Sequence, residues 1–225
     1  MQDQRADLEW RTGAVPVSRR FDDPYFSLEN GLAEAVHVFL QGNGLPDRFR
    51  DGFHIAELGF GTGLNALAAL RAWEVAGQRG VLNYTSFEAF PISAEEMARA
   101  LGAFPDVADQ AAALCDAWAS GAREITVGPM QITVIEGDAR DSLPCWEGRA
   151  DAWFLDGFSP AKNPELWGED LLVEVGRHTA PGGTAATYTA AGFVRRGLEA
   201  AGFAVDRVPG FGRKRHMSVA RKAET

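Results

Sequence analysis

The stretch IAELGFGTG at residues 55–63 constrains the fold of this chain more than any other. It is an apolar run that ends in alternating glycines and passes into the helix-prone sequence LNALAAL, a pattern typical of a buried strand, a tight turn and a helix start. Glycine allows positive φ angles and a close approach of the backbone to a ligand, while the unpaired amides of the following helix face the turn. The stretch therefore predicts a ligand-binding turn in an α/β sheet.

The spacing of the glycines narrows the choice of ligand. They form the pattern G-x-G-x-G at Gly59, Gly61 and Gly63. The dinucleotide-binding fingerprint requires its third glycine at the position that Leu64 occupies here. Glu57 adds a carboxylate at the strand end, which suits a cationic ligand such as the aminopropyl-carboxylate end of S-adenosylmethionine better than a pyrophosphate. The turn therefore favours a methyltransferase over an NAD-dependent oxidoreductase.

Composition sets limits on the class of protein. A chain of 225 residues, 46% hydrophobic and 24% charged, is long enough for one globular α/β domain. It has no apolar run of about 20 residues, no apolar signal-peptide core at its N-terminus, and two cysteines without metal-type spacing. We therefore expect a cytoplasmic protein with no membrane partner and no bound metal.

The charge balance gives two opposite indications about nucleic acid. The net charge of −9 argues against a surface that is basic throughout. Basic residues nevertheless cluster at residues 19–20, 195–196 and 213–215, and such clusters form either a solvated face or a set of phosphate contacts. The sequence leaves both interpretations open.

Two segments are expected along the chain. Residues 1–52 are predicted to be an N-terminal extension that packs on the core, and residues 53–225 a Rossmann-like domain. Residues 32–40 read as a short helix within the extension, either as a cover for the core or beside a site over which Tyr25 and Phe26 close. Residues 124–127 and 131–136 read as a β-hairpin. A second hairpin ends the chain, which predicts a seven-stranded sheet with an antiparallel last strand.

Acidic residues follow several predicted strands. Glu88 ends the second strand, where an acceptor can bind both ribose hydroxyls of a nucleoside. Asp138 follows the third strand and can accept a hydrogen bond from an adenine amino group, cap a short helix, or do both. Because ligands of open α/β sheets bind outside the carboxyl ends of the strands, we expect these acids to share one crevice with Glu57 and Asp156.

Asp156 opens a loop constrained by Gly157 and by two prolines. A carboxylate in such a loop is typical of enzymes that methylate amines, since the acid and the loop carbonyls can accept the N–H bonds of the amine and point its lone pair at the methyl group. We predict that Asp156 binds the amine and accepts its proton, directly or through water. Phe158 either stacks on a flipped base or packs in the core.

Taken together, the motifs resemble the methyltransferase domain of the bifunctional bacterial tRNA-modifying family MnmC and its stand-alone relative MnmD. The matching segments are PVSRRFDDPYFS with NGL (residues 16–27 and 30–32), ELGFGTGLN (57–65), SFEAFP (86–91), DAWFLDGFSPAKNPELW (151–167), PGGT with AGFVRRGL (181–198) and GFGRKRHM (210–217). They follow one another along nearly the whole chain, and DGFSPAKNP and GFGRKR are more specific than the glycine turn.

The resemblance implies methyl transfer from S-adenosylmethionine to the amine of 5-aminomethyl-(2-thio)uridine at position 34 of tRNA. The predicted catalytic residue is Asp156. The cofactor site is predicted to comprise Tyr25, Glu57, Gly59, Phe60, Gly61, Thr62, Gly63, Asn65, Glu88 and Asp138. The tRNA site is predicted to comprise Phe158, Lys162, Asn163, Arg195, Arg213, Lys214 and Arg215.

The fused members of that family carry a C-terminal FAD-dependent domain that exposes the amine. This sequence has no second glycine fingerprint after residue 217, so we expect no FAD activity in this chain, which is either a stand-alone enzyme or an excised domain. A separate FAD-dependent oxidoreductase could then be a partner on the same nucleoside. The alternatives are methylation of a small-molecule or protein amine, and a non-catalytic module that binds the cofactor or tRNA.

Overall fold

The computed structural model describes residues 5–11, 15–27 and 30–224. Parts of the predicted extension, residues 1–4, 12–14, 28 and 29, lie outside the described residues, as does residue 225. The strands are β1 Leu8–Arg11, β2 Val15–Ser18, β3 Asp23–Pro24, β4 His54–Leu58, β5 Leu82–Glu88, β6 Glu124–Val127, β7 Met130–Glu136, β8 Ala150–Leu155, β9 Thr179–Thr187, β10 Phe203–Pro209 and β11 His216–Lys222. The α-helices are α1 Gly31–Ala35, α2 Leu64–Val75, α3 Ala94–Leu101, α4 Ala108–Ala119, α5 Ala139–Ser142, α6 Glu169–Arg177 and α7 Gly192–Ala200.

Eight of the strands form one sheet in the order β10-β11-β9-β8-β4-β5-β7-β6. Neighbours from β9 to β7 are parallel, whereas β11 runs antiparallel to both β9 and β10. The predicted class, a Rossmann-like α/β sheet with an antiparallel last strand, is therefore confirmed. The sheet has one strand more than the predicted seven, because β6, the first arm of the predicted hairpin, pairs with β7 at the edge of the sheet.

The central strand β8 is buried on both faces, which explains its largely apolar sequence. Neighbouring side chains of a strand project to opposite faces. In β8, Phe154 packs in the core cluster that contains Leu67 and Leu70 of α2. Trp153 packs in the second cluster, with Leu172 of α6. The helices thus cover both faces and leave the ends of the strands to form the site.

The residues before β4 pack on this sheet through a distorted helix. The helix predicted at residues 32–40 begins as α1 and continues as a π-helical segment, Val36–Leu40. Phe39 in that segment is buried and stacks on Phe154, with ring centroids 5.3 Å apart. The side-chain amide of Asn43 donates to the carbonyl of Trp153 at 3.2 Å. These contacts hold the end of the distorted helix against the sheet, and the division of the chain at residue 52 stays a prediction.

The carboxyl ends of β4, β5 and β8 meet at one edge, because these strands are parallel neighbours. The glycine turn follows β4, Glu88 ends β5, and Asp156 follows β8. Within the described ranges, no helix has the length and apolarity that crossing a bilayer requires.

Candidate active site

The glycine turn after β4 adopts a backbone that only glycine readily tolerates. The φ angles of Gly59, Gly61 and Gly63 are +88°, +54° and +79°. A Cβ atom on Gly59 would lie 3.4 Å from the Cα atom of Gly157, so the turn also lies against the Asp156 loop. Gly63 stands at the N-cap of α2, whose first amide groups face the turn. The turn is therefore a backbone cradle at the sheet edge.

Glu57 lies beneath this cradle and is connected to Asp156 through one amide. The Nδ2 atom of Asn65 donates to Glu57 Oε1 at 2.9 Å and to Asp156 Oδ2 at 2.7 Å. The hydroxyl of Ser86 donates to Glu57 Oε2 at 2.8 Å. Complete burial raises the pKa of Glu57 well above its usual value. Glu57 therefore orients the side chain of Asn65, which in turn holds the carboxylate of Asp156.

Glu88 connects the cradle to the end of β5. Its Oε2 atom accepts the N–H of Gly61 at 2.9 Å, and its Oε1 atom accepts the N–H of Phe90 at 2.7 Å. Burial raises the pKa of this carboxyl group, and the backbone hydrogen bonds oppose the increase. The backbone of Phe60 also bonds to this carboxylate, whose remaining acceptor capacity is open to a ligand. The arrangement fits the ribose-binding role predicted for Glu88.

Asp138 is held by a neighbouring arginine. Its carboxylate accepts hydrogen bonds from the guanidinium of Arg140, including one of 2.6 Å, and Oδ1 caps α5 through the N–H of Arg140. The hydrogen bonds from Arg140 lower the pKa of Asp138. The predicted helix-cap role of Asp138 is thus present, while its adenine contact stays a prediction.

Asp156 is the carboxylate that faces the cavity at the end of β8. Besides the bond from Asn65, its Oδ1 atom accepts the N–H of Gly157 at 2.8 Å. Burial raises the pKa of Asp156 to about 6, and these two hydrogen bonds limit the increase. The side chain is therefore mostly ionised at neutral pH yet only weakly solvated, a state suited to binding an ammonium group and accepting its proton.

Aromatic side chains cover the other side of the cavity. The ring of Phe158 stacks on Phe21, with centroids 4.7 Å apart and planes at 23°, and meets Tyr25 edge-on at 5.1 Å. The guanidinium of Arg20 lies over the ring of Phe90 at 4.7 Å. Phe158 is therefore part of a ring cluster built partly from the N-terminal segment, and its stacking on a flipped base stays a prediction.

The cavity has a volume of about 770 Å³. The following predicted residues line it: Tyr25, Gly59, Phe60, Gly61, Thr62, Asn65, Glu88, Asp138, Asp156, Phe158, Asn163, Arg213 and Lys214. The others do not: Glu57, Gly63, Lys162, Arg195 and Arg215.

Lys162 and Arg195 differ most from their predicted position. The ammonium of Lys162 donates to the backbone carbonyl of Asp22 and lies 3.3 Å from its carboxylate and 3.7 Å from that of Asp23. Lys162 therefore ties the Asp156 loop to the N-terminal segment. Arg195 lies on α7, outside the cavity. The tRNA contacts predicted for both residues stay predictions.

The cavity is also lined by Arg20, which the sequence indicates only as part of a basic cluster, and by residues for which the sequence predicts no role: Phe21, Glu34, Phe90, Arg140 and Tyr188. Tyr188 directly follows β9, so its position at a strand end was a usable signal. Glu34 had none, because an acidic residue in the first turn of a helix is ordinary. Among the described residues, no group of three or more histidine, cysteine, aspartate or glutamate side chains could hold a metal ion.

Comparison with known proteins assigns the chain to a family. Residues 105–223 match the family model for S-adenosyl-L-methionine-dependent methyltransferases, and the chain belongs to this family. S-adenosylmethionine is therefore its cofactor. The positive-φ glycine cradle and the lone pairs of Glu88 beside it fit that molecule.

More specific relatives are proteins named tRNA 5-methylaminomethyl-2-thiouridine biosynthesis bifunctional protein MnmC. The chain is 48% identical to that of a Caulobacter species (strain K31), over 92% of this chain and 37% of the relative. It is 45% identical to that of Pseudomonas aeruginosa (strain UCBPP-PA14), over 95% of this chain and 34% of the relative. The chain thus spans about a third of the length of these relatives.

A solved structure agrees with this assignment. The crystal structure of MnmC2 from Aquifex aeolicus superposes with a TM-score of 0.79 at 27% identity, covering 99% of this chain and 72% of that one. The resemblance to the MnmC methyltransferase domain, first based on the motifs, is confirmed.

Proposed function

We propose that this chain methylates the primary amine of 5-aminomethyl-(2-thio)uridine at the wobble position of tRNA, giving the 5-methylaminomethyl product. The observation that carries the proposal is the carboxylate of Asp156, which is bonded to Asn65 and to the N–H of Gly157 in the same cavity as the cofactor cradle. The names of the MnmC relatives support this choice of nucleoside.

The chain's own residues account for the chemistry as follows. The cofactor supplies a methyl group bound to a positively charged sulfur. An alkylamine is mostly protonated at neutral pH, so Asp156 first binds the ammonium and takes one proton, which later passes to solvent. The free lone pair then forms the new N–C bond as the C–S bond breaks and its electrons stay on sulfur. The enzyme's main contribution is to hold nitrogen, carbon and sulfur in line.

One half of the cavity is lined by Arg20, Phe21, Phe158, Arg213 and Lys214 and is called the substrate half below. It suits a flipped base. A nucleotide in the anticodon loop can leave its stack and place its ring against an aromatic side chain, as RNA-binding sites commonly require. The rings of Phe21 and Phe158 provide such a surface. Arg20, Arg213 and Lys214 line the same cavity and would contact phosphates. Binding of tRNA should therefore weaken steeply as salt concentration rises.

The proposal also covers the preceding reaction on the same nucleoside and the cellular compartment. The substrate must already carry a free aminomethyl group, so an FAD-dependent oxidoreductase, fused or separate, would act before this chain. Such a sequence of reactions on tRNA would take place in the cytoplasm.

Mass spectrometry of tRNA nucleosides tests the proposal. The chain is incubated with S-adenosylmethionine and tRNA that carries 5-aminomethyl-2-thiouridine, and the nucleosides are then released and weighed. We expect conversion to the 5-methylaminomethyl nucleoside, with a mass increase of one methylene group. Parallel incubations with free alkylamines and with a lysine peptide test the alternative substrates. Methylation of those amines without conversion of tRNA would contradict the proposal, as would cofactor binding without any turnover.

A further inference from the structure

An ion pair lies inside the substrate half of the cavity. Lys214, on the loop between β10 and β11, donates from Nζ to Oε1 of Glu34 at 2.8 Å. The same ammonium lies 4.0 Å from the ring centroid of Tyr188. All three residues line the cavity. The carboxylate of Glu34 and the ring face of Tyr188 therefore hold the ammonium group of Lys214 in the cavity that Asp156 also lines.

The two sides of this ion pair differ in how firmly they are held. The side chain of Glu34 is 13% exposed, whereas that of Lys214 is 46% exposed. Tyr188 is fixed by its hydroxyl, which donates to the carbonyl of Gly157 at 2.8 Å, and by an edge-on contact with Trp167. A half-exposed lysine on a flexible four-carbon stem can move into solvent, provided that another cation replaces it beside the poorly solvated Glu34. The carboxylate and the ring stay behind as a site for another cation.

This site is next to the catalytic carboxylate. Tyr188 binds the carbonyl of the residue that follows Asp156. Burial dominates the pKa of Asp156, and the charges of Lys214 and Glu34 also act on it, in opposite directions. Both groups are therefore within electrostatic reach of Asp156.

The lysine ammonium and the substrate ammonium are the same chemical group, a primary ammonium on a methylene carbon. Exchange of one for the other conserves the net charge of the cavity, so Glu34 is never left as an unpaired, poorly solvated carboxylate. The ring face of Tyr188 attracts either cation. Meanwhile the phosphates of a bound RNA attract Lys214 outward, together with its basic neighbours on the loop.

We propose that Glu34 and Tyr188 bind the ammonium group of the substrate, and that Lys214 occupies this site until the substrate displaces it. The inference rests on the proposed function, because it requires a substrate with a primary alkylammonium group. Lys214 then has two successive positions. Without substrate its ammonium lies in the cavity, and with tRNA bound it contacts a phosphate. Glu34 then receives the ammonium on entry, and Asp156 binds it next and removes the proton.

Opposite effects of two substitutions test the inference. Glu34→Gln and Lys214→Met break the same ion pair. Binding of the free nucleoside 5-aminomethyluridine, which has no phosphate, is measured by calorimetry with S-adenosylhomocysteine present. We expect Glu34→Gln to weaken nucleoside binding roughly tenfold or more, because a charged hydrogen bond is lost. We expect Lys214→Met to strengthen it, because the competing cation is gone. Glu34→Asp should restore part of the affinity.

A purely structural ion pair would give a different pattern, since both substitutions would then weaken nucleoside binding together. That result would overturn the inference, as would no binding of the nucleoside to either the wild type or Lys214→Met. Arg207→Met removes an exposed positive charge from β10, outside the cavity, and controls for net charge.

A second measurement separates this inference from the proposed function. Methylation of tRNA is followed for the wild type, Glu34→Gln and Lys214→Met. We expect a higher KM for both variants, in Lys214→Met because a phosphate contact is lost. If the wild type converts tRNA but Glu34→Gln has an unchanged KM, the ammonium site is wrong and the function stands. If the wild type fails on tRNA while the nucleoside results hold, the function is wrong and the ammonium site stands.

Discussion

The two halves of the cavity are built in different ways. In the cofactor half, the side chains of Glu57 and Glu88 are buried and bonded to groups on the sheet and its first turn. The substrate half is formed by the N-terminal segment and the last hairpin. Stacked rings and ion pairs with at least one exposed partner join these segments to the Asp156 loop and to α1. The sheet therefore fixes one half, whereas segments distant in sequence assemble the other.

The two halves should therefore differ in how easily their side chains rearrange. Buried, hydrogen-bonded acids are costly to disturb, because an unpaired buried polar group loses its solvation without replacement. Exposed ion pairs contribute little and can exchange partners. We therefore expect the cofactor half to keep its geometry when ligands bind, and the substrate half to rearrange around tRNA.

The largest effect is expected at Asp156, where the halves meet. Asp156→Asn removes the proton acceptor but keeps the size of the side chain, so kcat should fall by about 10²–10⁴-fold. Affinity for S-adenosylhomocysteine, measured by calorimetry, should stay within a few-fold. Asp141→Asn, at an exposed position outside the cavity, is the control. Turnover close to that of the wild type would remove Asp156 from the mechanism.

Burial of Asp156 should also appear in the stability of the ligand-free protein. Its pKa is raised to about 6 in the folded chain, against about 4 in an unfolded one. The folded state thus holds the proton more tightly, and ionisation of Asp156 destabilises the fold as pH rises through this window. Relative to wild type, Asp156→Asn should gain roughly 2–3 kcal/mol of unfolding free energy between about pH 4 and pH 7.

Chemical denaturation at a series of pH values measures this difference, and Asp141→Asn again serves as the control. A difference that stays constant across the window would mean that Asp156 is not desolvated.

A smaller effect is expected from Glu88, in the cofactor half. Glu88→Ala removes the acceptor predicted to bind the ribose and also a partner of the Gly61 amide. Cofactor affinity should fall roughly ten- to a hundredfold. Glu136 is the matched control, because it lies opposite Glu88 on β7 but outside the cavity. Equal losses in Glu88→Ala and Glu136→Ala would show that the effect is general and does not come from the ribose site.

The effect of Phe158 should be confined to the substrate half. Phe158→Ala should raise the KM for tRNA by roughly 5- to 100-fold, the range expected when a stacked base loses its aromatic partner. Cofactor affinity should not change. Phe193→Ala, at an exposed position on α7, controls for loss of an aromatic ring. A parallel loss of cofactor affinity would mean that the two halves are not separable.

The same division explains what the sequence could predict. The cofactor half follows local rules, since glycine spacing and acids at strand ends identify Gly59, Glu88 and Asp156 once a parallel sheet is inferred. Glu34 and Phe21 reach the cavity only through tertiary packing of the N-terminal segment, which no local pattern encodes. The strand β6 was visible as a hairpin arm, but its pairing at the sheet edge was not.

A crystal structure with bound S-adenosylhomocysteine would show whether one cavity brings the methyl donor to the carboxylate that accepts the proton of the amine. We expect the ribose hydroxyls to lie within hydrogen-bond distance of Glu88 and the sulfur atom to face Asp156 across the cavity. S-adenosylhomocysteine bound outside this cavity, or bound with its sulfur pointing away from Asp156, would contradict the proposed arrangement of donor and carboxylate.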